Sequence, residues 1–178
     1  GAFARISVTQ AGKIIKPEES YTFRTAKEIA KDMYPGWNLG NTMEATGEGL
    51  GAETAWQKTK TTQEVIDYVK SQGFKSVRIP CSWYIHSNNG KIDAEWMARV
   101  KEVVDYCINA GLYVVLNDHY DGGWIEVEGF TMSTDKYVKV DDARIEEKST
   151  MLKTLWTQIA NAFQNYDEHL LFAGLNEP

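Results

Sequence analysis

Apolar residues in this chain recur at two spacings, one helical and one extended, in alternation. Phe23, Ala26, Ile29, Ala30 and Met33 share one face at helical spacing, and Pro35-Gly36 ends that stretch. "GWNLGNT" then reads as a short strand running into a polar end. A second helix is predicted from Thr61, with Glu64 completing a capping-box signature. Val65, Ile66 and Val69 are its buried stripe, and Gly73 is a good helix-ending residue. "FKSVRIP" is the second strand, stopped by Pro80. A third helix starts near Asp93, carries Met97, Val100, Val104, Cys107 and Ile108, and ends at Gly111. "LYVVLND" is apolar and β-branched, as a strand buried on both faces requires. The polar stretch from Tyr120 to Lys148 is too long for a simple connection and reads as a functional loop, partly helical. Leu152, Leu155, Trp156, Ile159, Ala160 and Phe163 mark the fourth helix, and "LLFAGL" is the fourth strand.

Strands alternating with helices imply an α/β fold with a parallel sheet. Two closures satisfy that pattern, an open doubly wound sheet and a (β/α)8 barrel. The polar residues favour the barrel. They gather at the C-terminal ends of all four predicted strands: Asn41 after the first, Arg78 within the second, Asn117 to His119 after the third, and Asn176-Glu177 after the fourth. Barrel enzymes build their sites on that face. An open sheet places its site at one switch point, typically beside a glycine-rich phosphate loop, and the sequence has no such loop. A full TIM barrel takes about 250 residues. The 178 residues are therefore read as the first four β/α units, a half barrel spanning 1–178, with 1–36 as a leading segment and helix. A half barrel leaves an open parallel edge on two sides, so a partner for those edges is expected, either the other half or a second copy.

Charge narrows the function classes. A net charge of −6 and a pI near 5.1 argue against nucleic acid and against an anionic membrane surface. No run approaches the 18 or so apolar residues of a membrane span. The opening "GAFARISVTQ" has neither the basic start nor the apolar core of a signal peptide, which leaves the compartment open. Cys81 follows a predicted strand end and Cys107 lies late in a predicted helix, so they are expected at opposite faces of the sheet, roughly 20 Å or more apart. A disulfide needs Cα atoms within about 7 Å, so two free thiols are expected. The aromatic content of 12%, with six tryptophans, is the unusual feature. Trp56, Trp83 and Trp124 fall in predicted loops, either as packing or as flat platforms for sugar rings.

"GWNLGNTMEA", "ETAWQKTKTT", "GFKSVRIPCSW", "LNDHYDGGW" and "LLFAGLNEP", in that order, resemble glycoside hydrolase family five, and most of all its endoglucanase and xyloglucanase subfamily. The resemblance runs from Trp37 to Pro178 and covers the first half of the family's domain. It implies a retaining endo-β-1,4-glucanase acting on cellulose-like chains or xyloglucan, secreted, cell-surface or periplasmic. It implies no cofactor and no catalytic metal, although Asp118 and Asp121 have the look of a metal pair. Glu177 matches the family's general acid/base, while the nucleophilic glutamate belongs to the half not represented here. Asn176 corresponds to the contact with the sugar 2-hydroxyl, Arg78 to the support of the nucleophile, and His119 to the active-site histidine. At "NDHYD" many members carry two adjacent histidines; His119 matches the first and Tyr120 stands at the second. Asn41, Glu44 and Tyr120 are expected contacts to sugar hydroxyls, and Trp56 and Trp124 are candidate sugar platforms. The competing class is a non-catalytic carbohydrate-binding or structural half barrel.

Overall fold

In a computed structural model of the chain, the described residues are 24–125 and 142–177. Backbone pairing is also described for two short antiparallel ladders, Thr9–Gln10 with Lys13–Ile14 and Phe130–Thr131 with Lys136–Tyr137. Phe23, Pro178 and much of the expected loop after Tyr120 lie outside the described residues.

A short helix, α1 (Ala26–Asp32), leads into β1 (Gly36–Asn38). Then follow α2 (Gln63–Ser71), β2 (Ser76–Ile79), α3 (Ala94–Asn109), β3 (Tyr113–Asn117), α4 (Asp142–Ala162) and β4 (Leu170–Ala173). The strands form one parallel sheet in chain order, β1-β2-β3-β4. Each crossover steps to the next strand in the same direction. Right-handed crossovers then put α2, α3 and α4 on one face of the sheet. That is how a (β/α)8 barrel begins, with its interior on the helix-free face.

The core records this division. Val77 and Ile79 of β2, Val114 and Leu116 of β3 and Leu170 of β4 share one apolar cluster with Ile66 and Val69 of α2, Val100, Val104 and Cys107 of α3, and Leu155 and Ile159 of α4. Alternate residues point to the other face. In register across the sheet these are Asn38, Arg78, Val115 and Leu171. Cys81 and Cys107 are both buried free thiols.

Three expectations shift. The cap of α2 is Thr62, whose hydroxyl accepts from the Val65 N–H, and not Thr61. Thr61 is instead drawn into the loop, its N–H donating to Glu53 and its carbonyl accepting from Arg99. Val65 is exposed, so the buried stripe of α2 is Ile66 and Val69 alone. Helix α4 begins at Asp142, ten residues before the predicted apolar stripe, because "DARIEEK" has helix-favouring residues without an apolar face. A two-residue ladder, Ser87–Asn88 with Lys91–Ile92, turns through Asn89-Gly90 at φ 50° and 79°, the Asn-Gly hairpin signature.

Candidate active site

The interior face of the sheet converges on one guanidinium. Arg78 stands in β2 opposite Asn38 of β1, and its Nη1 donates to Asn38 Oδ1 at 2.9 Å. Its Nη2 donates to Asn176 Oδ1 at 2.6 Å and lies 3.4 Å from His119 Nδ1. Among the described residues Arg78 pairs with no carboxylate. A cation in the apolar strand "SVRIP" is thus held by neutral acceptors from β1 and from the segments beyond β3 and β4.

The arrangement fixes polarity. An amide whose oxygen faces a guanidinium has its NH2 turned away, so Asn176 offers Nδ2 as a donor. His119 Nδ1 faces two donors, Arg78 Nη2 and Asn117 Nδ2, the latter at 3.3 Å. It therefore accepts, which makes the ring neutral with the proton on Nε2. Burial lowers the His119 pKa, and the Arg78 charge lowers it further against smaller opposing effects of Glu44 and Glu177. In an imidazole NMR titration, His119 is expected to change charge below pH 6.5, with the Nε2–H tautomer above the transition. Arg78→Met should raise the midpoint, because a positive neighbour is removed. An unmoved midpoint would detach His119 from Arg78.

Buried groups hold the histidine in place. The His119 N–H donates to the Cys81 carbonyl at 2.9 Å. Asn117 Oδ1 accepts from the Cys81 N–H at 3.1 Å, and the Asn117 carbonyl accepts from Trp83 Nε1 at 3.0 Å. The extension of β2 is thereby stitched to the end of β3.

Glu177 follows Asn176 directly, is exposed, and has φ 49°, a region that residues with a Cβ rarely occupy. Its side chain makes no hydrogen bond among the described residues. Asn41 and Glu44 come together in the loop after β1. The Glu44 carboxylate accepts the backbone N–H of Asn41 at 2.5 Å and of Thr42 at 2.9 Å, bracing a turn in which Asn41 takes φ 60°. Tyr120 is exposed beside His119. Trp124 is 7% exposed and stacks under Tyr84, so the open face of that pair belongs to Tyr84. Trp56 is exposed after the 3-10 turn Gly49–Thr54 and has no place in the Arg78 network.

Sequence reasoning missed Asn38, Asn117 as a ligand of His119, and Tyr84. Asn38 had a signal, since a polar residue in the short strand "GWN" lies in register with a buried arginine. Arg78, His119 and Asn176 are brought together as expected from their strand-end positions.

Comparisons with known proteins agree on one family. Residues 41–178 match the sequence profile of cellulase (glycosyl hydrolase family 5). The chain is 44% identical over 168 residues to endoglucanase A of Clostridium longisporum, covering 90% of this chain and 30% of that protein. It is 46% identical over 161 residues to endoglucanase B of Ruminococcus albus, covering 88% of this chain and 36% of that protein. Among solved structures, the chain matches XEG5B with a TM-score of 0.80 and 73% identity, over 86% of this chain and 40% of that one. XEG5B is a xyloglucan-specific β-1,4-glucanase of family 5 from a ruminal metagenomic library, solved in complex with XXLG. The chain thus spans 30 to 40% of these relatives' length.

Proposed function

Because this chain belongs to glycosyl hydrolase family 5, we propose that it carries the acid/base half of a retaining endo-β-1,4-glucanase acting on cellulose-like chains or xyloglucan. One observation bears most of the weight: Arg78 holds Asn176 Oδ1 at 2.6 Å immediately before Glu177. Asn176 Nδ2 is then the donor for the sugar 2-oxygen, a contact that strengthens as the ring gains positive charge in the transition state. Glu177 protonates the departing glycosidic oxygen and later takes a proton from the attacking water. His119 Nε2–H serves as a further donor to a sugar oxygen, with Tyr120 beside it.

A retaining reaction needs a second carboxyl about 5–5.5 Å from the first. The other carboxyls at this face are engaged or enclosed. Glu44 accepts two backbone N–H groups, Asp121 accepts three, and Asp118 is buried. The nucleophile is therefore assigned to the part of the family domain that this chain does not span. Arg78, a cation with neutral ligands, is placed to keep that carboxylate ionised. The free edges of β1 and β4 would take the remaining barrel strands, with a second copy as the competing partner. A polymeric glucan does not cross a membrane, so the enzyme is placed outside the cytoplasm: secreted, cell-surface or periplasmic. The same shortage of a second carboxyl favours the other reading for the 178 residues alone, sugar binding without turnover.

The test is reducing-sugar release from carboxymethylcellulose and xyloglucan by the 178-residue chain, alone and with the C-terminal half of a family relative added. No release alone, restoration on mixing, and loss of the restored activity by at least about 100-fold in Glu177→Gln are expected. Turnover by the chain alone would overturn the split of the two carboxyls. Restored turnover unaffected by Glu177→Gln would remove Glu177 from the reaction.

A further inference from the structure

Tyr84 is an exposed aromatic residue held with the rigidity of a buried one. Its ring stacks on Trp124 with centroids 5.1 Å apart and an interplanar angle of 18°. Tyr84 is 39% exposed where Trp124 is 7%, so the indole is the floor and the phenol ring the surface. The backbone under that surface is pinned by one side chain. The Asp121 carboxylate accepts the N–H groups of Trp83 at 2.8 Å, Tyr84 at 2.5 Å and Ile85 at 3.0 Å. Asp121 reaches them from a turn with φ 49°, followed by Gly122 at φ 71°. A Cβ on Gly122 would lie 2.9 Å from Ile85 Cγ2, so the two loops meet too closely for a side chain there. The Lys148 ammonium also donates to the Trp124 carbonyl and lies 5.9 Å from the indole centroid.

Packing alone does not require this construction. An exposed tyrosine with no structural duty rotates freely, and ordering it costs conformational entropy. Its hydroxyl has no hydrogen-bond partner among the described residues. The ring sits on the extension of β2, which the His119 N–H and Asn117 Oδ1 join to the end of β3. A flat apolar face, fixed in advance, stands at the same end of the sheet as the Arg78 network.

We propose that Tyr84 is a sugar-stacking platform for a pyranose ring of the glucan chain, with Trp124 as its backing and Asp121 as its brace. This rests on the glucan reading above and adds a binding residue to it. β-Linked glucose suits such a face. Its substituents are equatorial, so each side of the ring shows axial C–H groups to the aromatic surface. A pre-ordered ring makes that contact without a further ordering cost on binding.

Calorimetric titration of the 178-residue chain with cellohexaose tests the assignment, with maltohexaose as the control of different linkage. Tyr84→Ala is expected to weaken cellohexaose binding about tenfold, in line with loss of one aromatic stacking contact. Tyr84→Phe should bind within about twofold of the parent, because the face and not the hydroxyl makes the contact. Tyr84→Ala binding as tightly as the parent, while Asn176→Ala binds more weakly, would overturn the platform and leave the glucan site standing. No binding by the parent chain, or equal binding of both sugars, would overturn the glucan site and the platform with it. Equal melting temperatures of parent and Tyr84→Ala keep the comparison free of folding effects.

Discussion

Asp118→Asn should make this protein more stable, and the gain should grow as the pH rises. Asp118 is buried beside Asp121 and Trp124, and among the described residues neither of its carboxyl oxygens has a hydrogen bond of normal geometry. Burial, reinforced by the Asp121 charge, pushes its carboxyl up to about 9. An unfolded aspartate titrates near 3.9. The folded pKa lies above the unfolded one, so between these values the unfolded chain releases a proton that the folded chain keeps. Folding stability then falls by about 1.4 kcal/mol per pH unit across that window. Asparagine has the shape of the protonated acid and does not ionise. The variant should gain little near pH 4.5 and several kcal/mol near pH 8.5, on the order of 10 °C in Tm for a chain of this size. Thermal unfolding of both proteins between those pH values checks this. A Tm difference that does not change with pH would mean that Asp118 is ionised in the folded protein. Burial raises the nearby Cys81 thiol as well, and Asp121, Asp118 and Glu44 push it up further.

Arg99→Ala is expected to do the opposite by a related mechanism. Glu53 is fully buried, and its carboxylate receives Arg99 Nη2 at 2.8 Å, Arg99 Nε at 2.9 Å and the Thr61 N–H at 2.8 Å. Burial alone would raise the Glu53 pKa, but Arg99 and the Thr61 N–H outweigh it and lower it. Removing Arg99 leaves a buried carboxylate without its cation, a defect of about 3–5 kcal/mol, or roughly 10 °C in Tm. The pair stabilises the fold above the unfolded pKa of Glu53 and ceases to do so as the pH falls through the folded value. The Tm deficit should therefore be largest at pH 7 and shrink toward pH 4. Adding Glu53→Gln to Arg99→Ala should recover part of it, since the amide carries no charge. A deficit of equal size at both pH values would show that the arginine's packing, and not its charge, is what matters. The ion pair ties α3 to the loop that carries Asn41, Glu44 and Trp56, so loosening it also loosens that loop.

The elements readable in the sequence were those whose periodicity came from burial. Val77, Ile79, Val114 and Leu116 are apolar because helices cover them, and so β2 and β3 were legible. Arg78, His119 and Asn176 stood out because polar residues at the ends of apolar strands have few other reasons to be there. Choices made by tertiary contact were hidden. Thr61 and Thr62 are equivalent as caps until Glu53 and Arg99 take the backbone of Thr61. Trp124 looked like a platform because loop tryptophans are often exposed, but core packing and the stacked ring of Tyr84 bury it. The start of α4 was hidden because its first turns are charged and show no apolar stripe.

Strand order has a consequence for how the molecule comes into being. Because β1, β2, β3 and β4 lie side by side in chain order, no strand must be inserted between two that are already paired. Every ladder of the parallel sheet closes over the span of a single β/α unit, so each pairing waits only for the next unit and not for a distant one. During synthesis each new strand meets an edge completed just before it leaves the ribosome. Arg78 then acquires its ligands in sequence: Asn38 from the strand before it, His119 after the next, and Asn176 last. The Arg78 network is assembled vectorially, and Glu177 arrives only after the groups that orient its neighbour Asn176.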